Sequence, residues 1–393
     1  MREYMLVLLV GFAVTFVLAP ACRSLALRTG AVARVRGRDV HDHAIPYFGG
    51  LAMLGGVAAA FLVSWRLVFL TRYTGTDNDP FRQSAAILGG ATVICCVGVL
   101  DDLIELSPLL KAAGQVLAAG VTVLLGVRLF WIPWSDSLLT VGQSTSILVT
   151  IFLIFLITNA INFIDGLDGL AAGVVVIGAG AFFVYAYWLS VEGSLIRAMG
   201  ASVVSVAICG VCLGYLPHNF HPARMFMGDS GSMLLGLLMA SSAVSMTGQI
   251  DPFAQPALSN NLLATLMPLI LPLAVLALPL LDLVLAFVRR TWRGQWWFRA
   301  DKQHLHHRLL QRGHSHVGAV LLMYVWAALV SFGILALGMW PTRLTVAVVA
   351  VVLVTTATVT LWPRRREADD GRAAARDLAE AVGPAPTTGP AQP

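Results

Sequence analysis

The chain has 393 residues, of which 58% are hydrophobic and only 12% are charged, and its mean hydropathy is +0.79. Soluble domains carry about 25% charged residues, so this composition excludes a water-soluble fold. The formal net charge of +5 does not indicate a nucleic-acid-binding protein, because the basic residues are scattered over the loops between apolar segments.

Apolar segments long enough to cross a bilayer follow one another along most of the chain. They predict an all-α polytopic integral membrane protein with about 11 transmembrane helices. The predicted spans are 4–25, 47–70, 84–100, 108–127, 146–163, 169–190, 197–216, 231–248, 261–288, 317–338 and 344–362. Between two of them, Arg128 to Gln143 is too polar to span and is predicted as an external hairpin or loop. Residues 1–362 form the predicted transmembrane domain, and 363–393 a disordered cytoplasmic tail.

The distribution of basic residues predicts the orientation. With the N-terminus outside and the C-terminus in the cytoplasm, most of the 26 lysines and arginines lie on the inner side. All nine histidines then fall on that side as well, together with the acids at the inner helix ends. The chemistry is therefore expected on the cytoplasmic face.

Two adjacent acids, Asp101 and Asp102, end the third apolar span, and Lys111 follows at the start of the next. Charged groups at this depth require solvent or a partner of opposite charge. The pair is interpreted either as helix-end solvation with Lys111 as the counter-charge, or as groups that bind Mg²⁺, act as a base or attack phosphorus.

A short turn between two spans alternates amides, acids and glycines. Asn159, Asn162, Asp165 and Asp168 supply its oxygen ligands and hydrogen-bonding groups. The ligand series of an EF-hand loop is longer and ends in a glutamate that is absent from this segment. A structural Asx-turn is the alternative to a binding site.

A second loop brings an aromatic residue close to an acid. Asn219 precedes Phe226, and Asp229 follows three residues after it, at the start of an apolar span. Asp229 or Ser230 could cap that helix. The other interpretation is that Phe226 stacks on a base beside a metal ligand.

Two further segments are candidates for anion binding. Three histidines and two cations between Lys302 and Arg308 predict a phosphate site, with zinc binding and a solvated juxtamembrane segment as alternatives. The candidate residues in it are His304, His306, His307 and Arg308. His41, in the first inner loop, is the weaker signal, since that loop could simply set topology.

In their order along the chain, these motifs resemble those of the polyprenyl-phosphate N-acetylhexosamine-1-phosphate transferases of glycosyltransferase family 4. The relatives of that family include the phospho-MurNAc-pentapeptide translocase of peptidoglycan synthesis. The resemblance covers nearly the whole membrane region. It implies an all-helical fold in a bacterial cell membrane, a cytoplasmic active-site cleft, and Mg²⁺ as cofactor, with Mn²⁺ as an alternative. It also implies a UDP-sugar and a polyprenyl phosphate as substrates, and is compatible with a homodimer.

The resemblance assigns roles to individual residues. Asp229 is implied as the Mg²⁺ ligand, with Asp101 and Asp102 as further candidates. Asp101 is the implied nucleophile or base, with Asp102 beside it. Phe226 is expected to stack on uracil. The other residues expected to contact substrate are Lys111, Asn159, Asn162, Asp165, Asp168, Asn219, His41, His304, His306, His307 and Arg308.

The implied reaction transfers a sugar 1-phosphate, with GlcNAc 1-phosphate favoured, from a UDP-sugar to polyprenyl phosphate and releases UMP. It would be the first lipid-linked step of cell-envelope polysaccharide synthesis. Phospho-MurNAc-pentapeptide transfer is one alternative. The other is a membrane transporter, which would place charged residues near mid-depth in paired repeats. The acids of this chain gather instead at one face.

Overall fold

The computed structural model describes residues 1–33, 44–67, 80–129, 131–134, 137–140, 142–191, 198–249, 267, 270–271, 291–292, 315–340 and 342–361. Ten helices and one hairpin have their bounds within these residues. The helices are α1 Arg2–Thr29, α2 Gly49–Ser64, α3 Pro80–Ile104, α4 Pro108–Leu124, α5 Gln143–Ile164, α6 Leu170–Val191, α7 Ala198–Asn219, α8 Gly228–Gln249, α9 His316–Met339 and α10 Arg343–Leu361.

Eight of these helices are long and apolar enough to cross a membrane. The other two, α2 and α4, are apolar but shorter, with 16 and 17 residues, at the lower limit of about 17–25 residues for a span. Ten predicted spans correspond to these ten helices. The predicted span 261–288 and the predicted tail 363–393 lie mainly or wholly outside the described residues. The protein is therefore a polytopic helical membrane protein, while the count of about 11 spans and the orientation stay predictions.

The helix α8 occupies the centre of the bundle, where it packs against α2, α3, α5 and α7. Its apolar stretch is buried throughout, and its small residues permit close contact with its neighbours. Gly236 packs against the backbone of Thr158 in α5, and Ser242 Oγ lies 3.0 Å from Ser205 Oγ in α7. Small residues allow membrane helices to approach closely. The helix that carries Asp229 is thus held on several sides.

The segment predicted as a hairpin or loop forms a two-stranded antiparallel hairpin. Its strands are β1 Trp131–Trp134 and β2 Ser137–Thr140, paired so that Trp131 is opposite Thr140 and Trp134 is opposite Ser137. The hairpin prediction is confirmed, and its position outside the membrane stays a prediction.

Candidate active site

Three helix ends meet at one end of the bundle and bring the predicted acids together. α3 ends just after Asp101 and Asp102, α4 begins three residues before Lys111, and α8 begins next to Asp229. The Lys111 ammonium lies 3.5 Å from Asp101 Oδ2 and forms a close ion pair with Asp229 Oδ2. One cation therefore joins two carboxylates that come from distant parts of the chain.

Asn162, near the end of α5, holds the other carboxylate oxygen of Asp229. Its Nδ2 donates to Asp229 Oδ1 at 2.7 Å and to Ser232 Oγ at 2.8 Å. Ser232 Oγ donates in turn to the Gly228 carbonyl at 3.0 Å, within the first turn of α8. The orientation of the Asp229 carboxylate is therefore set by side chains from α4 and α5.

Asp102 faces a different part of the site from its neighbour Asp101. The Asp102 carboxylate accepts the backbone N–H groups of Asp229, at 2.9 Å to Oδ1, and of Ser230, at 3.4 Å to Oδ2. Asp101 Oδ1 instead accepts the backbone N–H of Leu106 at 2.8 Å. Asp101 thus faces the lysine, whereas Asp102 faces the beginning of α8.

The turn between α5 and α6 adds two further acids. Burial, together with repulsion from Asp102 and Asp168, raises the pKa of Asp165 to about 7. The turn ends at Gly169, whose φ of 76° is one that residues with a side chain rarely adopt. Asp165 therefore lies close enough to Asp102 and Asp168 to interact with them electrostatically.

Asn219 connects this turn to the loop that leads to Phe226. Its Oδ1 accepts the Gly169 N–H at 3.0 Å, and its Nδ2 donates to the Met225 carbonyl at 3.0 Å. Tyr215 Oη donates to the same carbonyl at 2.9 Å. Asn219 is only 2% exposed. In this structure it braces the loop, and its predicted contact with a nucleotide stays a prediction.

Asp168, in the same turn as Asp165, makes a second group of contacts with the loop that leads to Phe226. Its Oδ2 lies 2.8 Å from His221 Nδ1 and accepts the Ala223 N–H at 3.1 Å. The His221 ring stacks on His316, with centroids 4.3 Å apart and planes within 16° of parallel. A metal bound by imidazole lies near the plane of the ring, and two stacked, nearly parallel rings cannot share such an ion. Asp168, His221 and His316 are therefore interpreted as a stacked, hydrogen-bonded contact, although their ligand atoms lie within 4.8 Å of one another.

Phe226 is half-buried in a cradle made by the segment that opens α2. Its N–H donates to the Pro46 carbonyl at 2.9 Å, and its carbonyl accepts the Gly49 N–H at 3.2 Å. The Gly50 N–H donates to the Met227 carbonyl at 3.2 Å. The chain before Asp229 is thus fixed by main-chain hydrogen bonds to α2.

Gly50, at the beginning of α2, packs directly against the backbone of α8. A Cβ on Gly50 would overlap the backbone of Ser230 and Gly231. The absence of a side chain at Gly50 therefore permits the close approach of α2 to α8. In the segment before α2, the Tyr47 ring lies 6.3 Å from the Phe226 ring, with 41° between the planes. Tyr47 was not among the predicted site residues.

Asn159 lies almost one turn deeper than Asn162 and pairs with the amide of Gln115, which was not among the predicted site residues. Its Nδ2 donates to Gln115 Oε1 at 2.8 Å, while Gln115 Nε2 lies 3.1 Å from Met233 Sδ. Gln115 follows Lys111 by four residues on α4, so both side chains share one helix face. A buried amide in an apolar helix, one turn from a site lysine, was the available signal.

The donor set around Lys111 fits a hard divalent cation. Mg²⁺ takes oxygen ligands, and Asp229 and Asp101 offer carboxylate oxygens to one point where a cationic group already stands. Asp229 and Asp101 are the residues that would hold the ion, while Asp102 faces the α8 backbone.

The remaining predicted site residues lie outside the described residues. These are His41, His304, His306, His307 and Arg308. Their predicted contacts with sugar and phosphate stay predictions. The helix α9, which begins at His316, is nevertheless fixed to the acidic turn, because Tyr324 Oη donates to the Gly169 carbonyl at 2.5 Å.

Sequence comparisons relate the chain to known proteins. The sequence model described as Glycosyl transferase family 4 matches residues 84–247, which include Asp101, Lys111, Asn162 and Asp229. A decaprenyl-phosphate N-acetylglucosaminephosphotransferase of Mycobacterium tuberculosis is 42% identical over 380 residues, covering 94% of this chain and 91% of that protein.

More distant relatives carry related names. A probable undecaprenyl-phosphate N-acetylglucosaminyl 1-phosphate transferase of Bacillus subtilis is 34% identical over 329 residues, covering 82% of this chain and 83% of that protein. A phospho-N-acetylmuramoyl-pentapeptide-transferase of Mycobacterium marinum is 30% identical over 288 residues, covering 64% of this chain and 78% of that protein. Similarity thus extends over more of the chain for the N-acetylglucosamine enzymes.

Proposed function

We propose that this chain, which belongs to glycosyl transferase family 4, transfers N-acetylglucosamine 1-phosphate from UDP-N-acetylglucosamine to a polyprenyl phosphate. The products are UMP and a polyprenyl-diphospho-sugar. The observation that carries the proposal is the meeting of Asp101, Lys111, Asn162 and Asp229 at one end of the bundle. The names and coverage of the relatives favour N-acetylglucosamine over the muramoyl pentapeptide, and decaprenyl phosphate as the acceptor.

The reaction must bring together two anions, the lipid phosphate and the diphosphate of the nucleotide sugar. Repulsion between one pair of unit charges is about 4 kcal/mol at 4 Å with an effective dielectric constant near 20. Lys111 neutralises one of the two carboxylate charges at the point where Asp101 and Asp229 converge. We assign a Mg²⁺ ion to Asp229 and Asp101; when bound, it would neutralise charge on the phosphates.

The bond changes define what the protein groups must do. An oxygen of the lipid phosphate attacks the β-phosphorus, and the bond from that phosphorus to the bridging oxygen breaks, leaving the electron pair on UMP. A phosphate monoester has its second pKa near 6, so it is already largely a dianion at pH 7. A strong base is not required, and Asp101 and Lys111 serve to orient the lipid phosphate. A single displacement is consistent with these roles.

The aromatic and acidic groups on the other side of the site would take the nucleoside. Phe226 is half-buried and held by α2, which suits a rigid stacking surface for uracil. Asp165 and Asp168 lie in the turn on the side of Asn219. His304, His306, His307, Arg308 and His41 are proposed to contact sugar and diphosphate.

The proposed site lies on the cytoplasmic face of a bacterial cell membrane. The positive-inside distribution supports this orientation, because most lysines and arginines then lie on the same side as the acids. UDP-sugars are cytoplasmic metabolites, so the site and its donor substrate would share a compartment.

The test is an assay of the purified full chain in detergent with decaprenyl phosphate, Mg²⁺ and a series of UDP-sugars. UMP release and the lipid product are both measured. We expect UMP only when lipid phosphate and UDP-N-acetylglucosamine are both present, and none from Asp229→Asn protein that still inserts in the membrane. Turnover with UDP-MurNAc-pentapeptide alone would assign the other branch of the family. Solute flux in vesicles without any lipid product would favour a transporter.

A further inference from the structure

We infer that Asp102 is a positioning residue that caps the N-terminus of α8 from a neighbouring helix and thereby fixes Asp229. This inference rests on the proposed function and refines it, because Asp102 adjoins Asp101 and sequence alone gives both acids the same candidate roles. Three observations support it. Asp102 accepts two hydrogen bonds from the backbone of α8, Gly228 packs against the Asp102 carboxylate, and Gly98 of α3 packs against the backbone of α8.

The beginning of α8 lacks a capping side chain of its own. The residue before the helix is Met227, whose thioether is a weak acceptor, and it is buried. A capping side chain normally accepts the N–H group of the second or third helical residue. In α8 these residues are Asp229 and Ser230, and Asp102 accepts both N–H groups. Asp102 therefore does from α3 what a local cap would do.

A carboxyl group at the position of Asp102 suits the beginning of a helix. The first turn of a helix carries a partial positive charge, so a carboxylate there is stabilising. Ser230 lies inside the first turn of α8, after the capping position, and its hydroxyl donates to the Met227 carbonyl at 3.1 Å. The sequence-based alternative that Asp229 or Ser230 caps the helix is thus replaced by a contact between two helices.

Two glycines allow α3 and α8 to come this close. A Cβ on Gly228 would overlap the Asp102 carboxylate, and the φ of 67° at Gly228 already disfavours other residues. One turn before Asp102, a Cβ on Gly98 would overlap the backbone of Asp229 and Ser230. The end of α3 and the start of α8 are therefore closely packed, and Asp102 makes the polar contact between them.

The same contacts separate the roles of the two adjacent acids. Both oxygens of Asp102 face backbone N–H groups, whereas the Lys111 ammonium contacts Asp101 and Asp229. In this orientation Asp102 is directed at the backbone of α8, whereas Asp101 and Asp229 are directed at the ammonium. Asp102 acts on the reaction through Asp229.

The test compares Asp102→Asn with Asp102→Ala in the purified full chain, measuring kcat, both KM values and the melting temperature. Asparagine keeps one of the two acceptor oxygens and caps helices well, but it cannot serve as a base or nucleophile. We expect Asp102→Asn to keep turnover within about tenfold of wild type. Asp102→Ala should lose about 100-fold, the scale of a misplaced catalytic group, and melt at a lower temperature. Equal and complete inactivation by both substitutions, with unchanged melting temperatures, would overturn the inference.

A double-mutant cycle gives a second, independent test of the contact between Asp102 and Gly228. Gly228→Ala disturbs the same contact as Asp102→Ala. The double variant should therefore lose clearly less stability than the sum of the losses of the two single variants. Additive losses would refute the shared contact. If the wild-type chain released no UMP, the proposed function would fail, whereas the melting-temperature cycle would still decide whether Asp102 caps α8.

Discussion

Lys111 pairs with Asp229 across the site, and the same ammonium reaches Asp101 at 3.5 Å. The lysine therefore stands where the two carboxylates would hold a metal ion. In the absence of an ion, it limits the repulsion between the carboxylates. In the proposed binding of Mg²⁺ to Asp229, the two cations would share or exchange this position, and the stability of the protein should report that exchange.

We predict that Lys111→Met lowers the stability of the protein in EDTA and increases its stabilisation by Mg²⁺. Removal of the ammonium leaves two partly buried carboxylates without their counter-charge, which should cost about 1–2 kcal/mol. The ion then replaces the missing charge. Melting temperatures in EDTA and in Mg²⁺ measure both effects. Asp229→Asn is the control, which should remove most of the stabilisation by Mg²⁺. If Mg²⁺ raised the melting temperature of wild type and of Lys111→Met equally, the lysine and the ion would not compete for this position.

Asn162 and Ser232 provide a matched pair for testing how Asp229 is oriented. Asn162 contacts both Asp229 and Ser232, whereas the hydroxyl of Ser232 contacts Asn162 and the Gly228 carbonyl. Asn162→Ala frees one oxygen of Asp229 and should reduce kcat by about 100-fold. Ser232→Ala keeps the contact between Asn162 and Asp229 and should reduce kcat by less than tenfold. Similar kcat values for the two variants would show that Asn162 does not orient Asp229.

The sequence predicted the spans well because the length of an apolar segment is enough to identify a membrane helix. It also implied, through the resemblance to the transferase family, that Asp101 and Asp229 lie near one another, because both were candidate Mg²⁺ ligands. It could not distinguish Asp101 from Asp102. Successive residues point about 100° apart around a helix, and which of them faces α8 depends on how α3 packs.

Contacts between distant segments were the other part that the sequence did not reveal. Gln115 has no local partner, and its bond to Asn159 exists only because α4 packs beside α5. The stacking of His221 on His316 likewise joins a loop to a helix almost a hundred residues away. A single sequence records the residue types in such pairs, but not the pairing.

Asp165 should make the stability of the protein depend on pH. Its pKa is raised to about 7, whereas an aspartate in an unfolded chain has a pKa of about 3.9. The folded state thus holds this proton more tightly. The stabilising contribution is complete below about pH 4, declines as the pH rises, and is lost above about pH 7. Asp165→Asn carries no such proton, so its melting temperature should exceed that of wild type by more at pH 8 than at pH 5.

This comparison is made in EDTA, so that metal binding does not change the charge of the site. Glu105→Gln is the control, because it removes an exposed carboxylate at the same end of the bundle. A difference between Asp165→Asn and wild type that stays constant from pH 5 to pH 8 would refute the raised pKa of Asp165.

The last prediction concerns the contact between α2 and α8. Gly50→Ala would place a methyl group against the backbone of Ser230 and Gly231, which cannot move without shifting Asp229. Overpacking of this kind costs about 1–3 kcal/mol, and the displaced carboxylate should lower kcat by about 100-fold. Gly120→Ala is the matched control, since a Cβ there meets nothing within 4 Å. That variant should be as active as wild type and at least as stable, because alanine favours the helix. If the two alanine variants behaved alike in melting temperature and kcat, the close approach of α2 to α8 would have no part in placing Asp229.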